Sequence, residues 1–226
     1  MTFNNAFLSL SNFIPEIFLF SMAMVVLLIG ITNQLKKYVV NLTIGSTLIA
    51  LFLCFWGYTG ETVFLFNTSL IKDNTTEFFK ILCYVIFLIQ IIVSQKYLKN
   101  KNLISGEFYS LLIFALIGCL IIISSNNLIA LFLGIELSSL SLYSLIALNR
   151  TSLISGEAAI KYFVLSIIAS ALILFGFSYL YGITNSLVIN EISTYLLSNE
   201  ISNLYLFSYI LIFIGVAFKF AVAPFH

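Results

Sequence analysis

Seven long apolar runs alternate with shorter polar stretches along the chain. They cover roughly residues 13–31, 39–58, 78–97, 108–124, 128–148, 158–181 and 204–223. About 20 mostly apolar residues cross about 30 Å of hydrocarbon, so each run is predicted to be a membrane-spanning helix. The first run is long enough to span, and no basic region precedes it; a cleavable leader is not expected.

Helix ends carry their own signals. Pro15 suits a first turn, where its missing N–H is no loss, and Glu16 beside it faces the positive end of the helix dipole. Ser124-Ser125-Asn126-Asn127 leaves room only for a tight turn between the fourth and fifth helices. Ser155 is expected to cap the sixth, with Glu157 in its first turn. The two longest connections, 59–77 and 182–203, are moderately polar, and 192–197 is expected to form a short interfacial helix.

Lysine and arginine sort by loop. The first loop holds Lys36 and Lys37, the third Lys96, Lys99 and Lys101, and the fifth Arg150. The second has Lys72, with Lys80 at the next helix's edge, offset by Glu61, Asp73 and Glu77; the fourth has no charge, and the sixth has Glu191 and Glu200. The positive-inside rule places the odd loops on the cytoplasmic or matrix side and the N-terminus opposite.

Composition agrees. Of 226 residues, 61% are hydrophobic and 8% charged, with a mean hydropathy of +1.11. A soluble domain carries about a quarter charged residues, so a soluble globule is excluded. The ten basic residues are scattered, which disfavours nucleic-acid binding. Cys54, Cys83 and Cys119 lie in separate apolar runs without a C-x-x-C spacing, and there is one histidine. No metal, haem or iron–sulfur site is expected in this chain; the cysteines are read as small buried apolar residues. Abundant Phe (23) and Tyr (12), with nine Lys to one Arg, fit an A+T-rich genome of the organellar kind.

Glu16, Lys80 and Lys96 are read as helix-end or loop charges; three other charges stand inside the predicted spans: Glu136, Lys161 and Lys219. A charge near the bilayer centre costs about 2.5–3.5 kcal/mol on insertion scales, which calls for a partner, a wet cavity or a function. Glu136 lies about 12 Å into the fifth helix, with Ser139 and Tyr143 on its face. Gly134 and Ser138 offer a small-xxx-small surface for a neighbouring helix. The bland alternative is a neutral Glu that joins two helices by hydrogen bonds. Lys161 follows Glu157 by four residues and reads equally as a snorkelling surface lysine. Lys219 ends eighteen uncharged residues and precedes Pro224, which predicts a break in the seventh helix. Gly215, one turn earlier, is expected to leave room for water. An apolar setting disfavours the charge on a lysine and a nearby carboxylate favours it, so a moving or protonating Glu can load and unload a Lys.

The strings LFLGIELSSLSLYSLIALNR, SGEAAIKYFVLSIIASALILFGFSYLYGITNSL and GVAFKFAVAPFH resemble the antiporter-like membrane subunits of respiratory NADH:ubiquinone oxidoreductase. The likeness is to subunit 2, called subunit N in bacteria, mitochondrial type. It is strong over 128–226 and weaker upstream, where Pro15-Glu16 also fits. The resemblance implies an all-α polytopic bundle of about seven transmembrane helices. Residues 1–107 hold helices one to three with a connecting loop. Residues 108–226 hold the first part of an antiporter-like repeat, helices four to seven, with helix seven broken near Pro224. It further implies a proton half-channel built on Glu136, Lys161 and Lys219, coupled to quinone reduction. No cofactor is implied in this chain; flavin, iron–sulfur clusters and quinone belong to other subunits.

Such subunits usually continue to about fourteen helices. Either the sequence is part of a longer chain or the subunit is split between two polypeptides; the expectation is a split subunit, with a second polypeptide docking near the C-terminal end. Other antiporter-like and small membrane subunits, together with membrane lipids, are the remaining expected partners. The expected location is the mitochondrial inner membrane, with the bacterial plasma membrane as the alternative. Two other functional readings stand: a cation/proton antiporter subunit, and a structural scaffold with an inactive channel.

Overall fold

The computed structural model describes residues 9–32, 35–58, 60–100, 105–198 and 203–222. Its helices are α1 (Ile14–Ile31), α2 (Val39–Trp56), α3 (Asn74–Asn100), α4 (Gly106–Ser124), α5 (Leu128–Ile146), α6 (Leu153–Thr184), α7 (Ile189–Ser198) and α8 (Asn203–Lys219). Between α2 and α3 lies a hairpin of β1 (Val63–Leu65) and β2 (Leu70–Lys72). Helices α1 to α6 are long and apolar enough to cross a membrane; α8 is apolar but has 17 residues. The protein is a polytopic helical membrane bundle, and all seven apolar runs are helical.

Local chemistry explains the boundaries. Pro15 sits at the start of α1, as expected. Ser105 Oγ accepts the Phe108 N–H at 3.2 Å and starts α4. Asn127 Oδ1 accepts the Ile129 N–H at 2.8 Å, which starts α5 directly after the turn at 125–127. Helix α6 begins five residues earlier than expected. Ser152, not Ser155, is its cap: Ser152 Oγ accepts the Ser155 N–H, so Glu157 falls in the second turn. The expected interfacial helix exists as the longer α7.

The hairpin was not expected from the polar reading of 59–77. Its turn holds Phe66, Asn67 and Thr68 in left-handed conformations with φ of 50°, 53° and 65°. Only long-range partners sustain such a turn. The Asn126 N–H donates to the Ser69 carbonyl at 2.9 Å and its Nδ2 to the Thr68 carbonyl at 3.0 Å. In the same layer the Ile189 N–H donates to the Asn126 carbonyl and the Leu128 N–H to the Leu187 carbonyl. The second, fourth and sixth connections are thus stitched together at one end of the bundle. This agrees with the alternation of odd and even loops between the two ends of the bundle. At the other end, Arg150 of the fifth connection approaches Glu107 of α4 at 3.4 Å.

One apolar cluster is built by α1 to α4 around Leu19, Tyr84, Ile91, Tyr109, Ile113 and Leu120. A second is built by α5 to α8 around Leu128, Ile173, Phe177, Leu180 and Tyr205. In lipid, helices associate through close backbone packing more than through apolar burial, which favours small residues at crossings. A Cβ on Gly118 of α4 would stand 2.7 Å from Ser138 N and 2.8 Å from the Gly134 carbonyl of α5. The small-xxx-small surface at 134 and 138 therefore serves its expected purpose.

Candidate functional site

The second crossing of this kind positions the candidate site. A Cβ on Gly215 of α8 would stand 2.7 Å from the Ala169 carbonyl of α6 and 2.6 Å from Ile173 Cγ1. Gly215 therefore does not make room for water; it lets two backbones touch, because any side chain there collides with a carbonyl. This contact brings the end of α8 beside the middle of α5 and α6.

Lys219, the last residue of α8, places Nζ 2.8 Å from Glu136 Oε1. The two side chains are 12% and 23% exposed, so the ion pair is largely withdrawn from the surface. Lys219 Nζ also donates to Ser139 Oγ at 3.2 Å. Ser170 of α6 reaches the same Glu136 oxygen through its hydroxyl. Its Oγ also lies 2.9 Å from the Ser166 carbonyl. A hydroxyl has one hydrogen. Directed at Glu136, it stabilises a carboxylate; directed at Ser166, it leaves Ser170 Oγ free to accept from a protonated Glu136. Both charge states of Glu136 therefore have a partner without backbone movement.

The polar track continues from Ser166, whose hydroxyl accepts from Tyr143 of α5. The rings of Tyr143 and Tyr162 meet edge to face at 4.8 Å. A largely apolar cavity of about 430 Å³ adjoins the track and is lined by Ser139, Tyr162, Ser166, Lys219 and Phe220, among others. Carbonyls accept hydrogen bonds but do not pass protons on. Proton movement past Ser166 therefore requires water in this cavity.

Lys161 does not join this group. It pairs with Glu157 one turn away on α6, and the two side chains are 69% and 66% exposed. Pro224 lies outside the described residues, but the end of α8 does not. The Val222 N–H donates to the Ala217 carbonyl at 3.0 Å and the Ala221 N–H to the Phe218 carbonyl at 3.1 Å. With Ala221 at φ 49°, this is a Schellman ending. The helix stops directly after Lys219, whose charge sits at the negative end of the α8 dipole.

Sequence reading missed Ser166 and Ser170. The pattern Ser166-xxx-Ser170 on an apolar helix was the available signal, since i and i+4 share a face. It also placed Glu16, Glu77 and Lys80 at helix ends or in loops. In the structure these three are buried together: Lys80 Nζ lies 2.8 Å from Glu16 Oε1 and 3.7 Å from Glu77 Oε1. Glu16 thus serves Lys80 as well as the start of its own helix. Cys54 is buried, but it donates to Glu77 Oε2 at 3.0 Å, and Cys119 is exposed; neither is the inert apolar filler expected.

Residues 125–226 match the family model described as NADH:quinone oxidoreductase/Mrp antiporter, transmembrane. The chain is 38% identical over 224 residues to NADH-quinone oxidoreductase subunit N of Thioalkalivibrio sulfidiphilus, covering 94% of this chain and 45% of that protein. It is 37% identical over 217 residues to the same subunit of Pelagibacter ubique, covering 95% and 46%. The chain thus spans about half the length of the curated relatives it matches. Among solved structures, a chain of respiratory complex I from Thermus thermophilus with bound aureothin aligns with a TM-score of 0.74 at 26% identity, covering 94% of this chain and 45% of that one. A chain of the archaeal membrane-bound sulfane sulfur reductase shares the fold, with a TM-score of 0.77 at 20% identity over 93% and 46%.

Proposed function

We propose that the chain forms a proton half-channel in the membrane arm of a respiratory NADH:quinone oxidoreductase. The observation that carries this reading is the Lys219–Glu136 ion pair, withdrawn into the bundle where α8 ends. The similarity to subunit N supports the assignment to that complex. Glu136 and Lys219 alternate between an ion pair and a state in which Glu136 is protonated and Lys219 is released from it. The Ser170 hydroxyl follows by turning between its two partners. Quinone reduction elsewhere in the assembly biases the exchange. Lys161, paired with Glu157 at the odd-loop end of α6, stands outside this exchange in the state described. Flavin, iron–sulfur clusters and quinone are carried by other subunits.

In this proposal residues 108–226 are the first part of an antiporter-like repeat, preceded by the helices of 1–107. A continuing segment or a second polypeptide supplies the rest of the relatives' length and packs beyond α8. Residue usage supports the mitochondrial inner membrane, and the bacterial relatives support a bacterial plasma membrane; organelle fractionation decides. Other antiporter-like and small membrane subunits are the neighbours.

Lys219→Met tests the function. The expected result is loss of NADH-driven proton pumping in sealed vesicles, with NADH oxidation by an artificial acceptor retained. Pumping at the wild-type ratio overturns the half-channel and favours a scaffold. The family description also names Mrp antiporters; sodium-dependent transport without NADH oxidation favours that reading.

A further inference from the structure

A second group of ionisable side chains lies among α1, α2 and α3, sharing no lining residue with the Glu136–Lys219 cavity. Glu16 comes from α1, and Glu77 and Lys80 come from the first turns of α3. Their side chains are 1%, 6% and 5% exposed. They face a cavity of about 130 Å³, which Lys72 of β2 and Cys54 of α2 also line. Lys72 directs Nζ to the neutral Gly57 carbonyl at 2.8 Å and Asn12 Oδ1 at 3.0 Å. Lys80 is instead shared between two carboxyl groups.

Two buried atoms here lack a hydrogen-bond partner among the described residues: Glu16 Oε2 and the Tyr84 hydroxyl. Glu16 lines the cavity, and Tyr84 stands beside the cluster. Leaving a buried polar group unsatisfied costs about 1–3 kcal/mol, and more for a charged one. For Glu16 the cavity offers space for a partner. A water needs about 10–15 Å³ of such volume and two to four polar partners, so the cavity has room for several.

We propose that Glu16, Glu77 and Lys80, with the water-sized cavity they face, form a second proton-binding site, separate from the Glu136–Lys219 pair. A proton arriving through cavity water bonds to Glu16 Oε2, and the carboxylate becomes a neutral acid. The Lys80 ammonium keeps its three hydrogens and shifts from Glu16 to Glu77, now 3.7 Å away. Release of the proton to water reverses both steps. Cys54 keeps Glu77 oriented by its 3.0 Å thiol contact. The site goes beyond the half-channel and stands on its own geometry.

The test uses infrared titration of the membrane assembly that contains the chain, in H₂O and in D₂O. Glu16→Gln alone strands a buried ammonium, so it is paired with Lys80→Met to keep the site neutral. The wild type is expected to show a carboxyl band that titrates and exchanges with deuterium, and Glu16→Gln/Lys80→Met to lose it. Glu77→Gln leaves the 2.8 Å pair in place and is expected to move the midpoint of the same band. Wild-type-like carboxyl bands in either variant overturn the site, as does a band that does not exchange; the cluster is then a dry structural ion pair. Lys219→Met leaves this band unchanged, so a failure here and a failure of the half-channel are read separately.

Discussion

Removing one partner of the Glu136–Lys219 pair is expected to be far more damaging than removing both. At 2.8 Å, with an effective dielectric constant of about 20, the two charges attract by about 6 kcal/mol. Withdrawing them from water costs several kcal/mol per ion, so the net worth of the pair is near zero. The single variants leave a different ledger. In Glu136→Gln the ammonium keeps its desolvation cost and its 3.2 Å hydrogen bond to Ser139 Oγ, but loses the opposite charge. Breaking a buried pair this way costs about 3–5 kcal/mol; the partial exposure of both groups, 12% and 23%, puts the expected loss near the lower figure. Lys219→Met is expected to cost less, because Glu136 neutralises itself by taking a proton that Ser170 can accept. The double variant is expected within about 1 kcal/mol of the wild type. The assay is a double-mutant cycle on the temperature at which the chain is lost from its detergent-solubilised assembly. Single losses that simply add in the double variant, a coupling of zero, refute the reasoning. Pumping is expected to stay low in all three variants, because restoring charge balance does not restore a titratable pair.

Three other outcomes follow from local geometry. Gly215→Ala requires α8 to move away from the Ala169 carbonyl, since its Cβ would stand at 2.7 Å; an overpacking loss of about 1–3 kcal/mol is expected in the same thermal assay, with reduced pumping, and wild-type stability refutes the close-contact reading. Ala221→Gly relieves a left-handed alanine at φ 49° and is expected to stabilise the end of α8 by about 1 kcal/mol; a lower midpoint temperature refutes it. Burial pushes the Asp73 carboxyl up, but the Thr76 N–H and the Thr75 and Thr76 hydroxyls outweigh it and hold the group below its usual value. Its stabilisation is therefore present above the ordinary carboxylate value of about 3.9 and is lost as pH falls through the lower native value. Asp73→Ala is expected to cost about 1 kcal/mol near neutral pH by removing the cap of α3, and the difference from the wild type is expected to vanish in acid; a constant difference refutes the assignment.

Much of the architecture was legible in the chain because lipid leaves a polypeptide few choices. A backbone inside hydrocarbon must satisfy its own hydrogen bonds, so each apolar run has to be a helix. The seven runs follow from that constraint; the tight turn at 125–127 follows from the short polar gap there, and the sidedness is read from the lysines and arginines of the loops. The hairpin was hidden because its left-handed turn at Phe66–Thr68 is held by Asn126, a residue of another connection.

For the site, the sequence by itself picked out Glu136 and Lys219, because a charge in an apolar run is conspicuous wherever it sits. It was silent on their meeting. That depends on Gly215 touching the Ala169 carbonyl, and a glycine in a helix does not name its neighbour. Lys161 was equally conspicuous, yet tertiary structure turns it outward to Glu157, since one residue decides which face of α6 it occupies. Glu16, Glu77 and Lys80 were read as helix-end charges for the same reason in reverse. Depth along a helix is written in the sequence; which side chains share a buried space is set only when the helices pack.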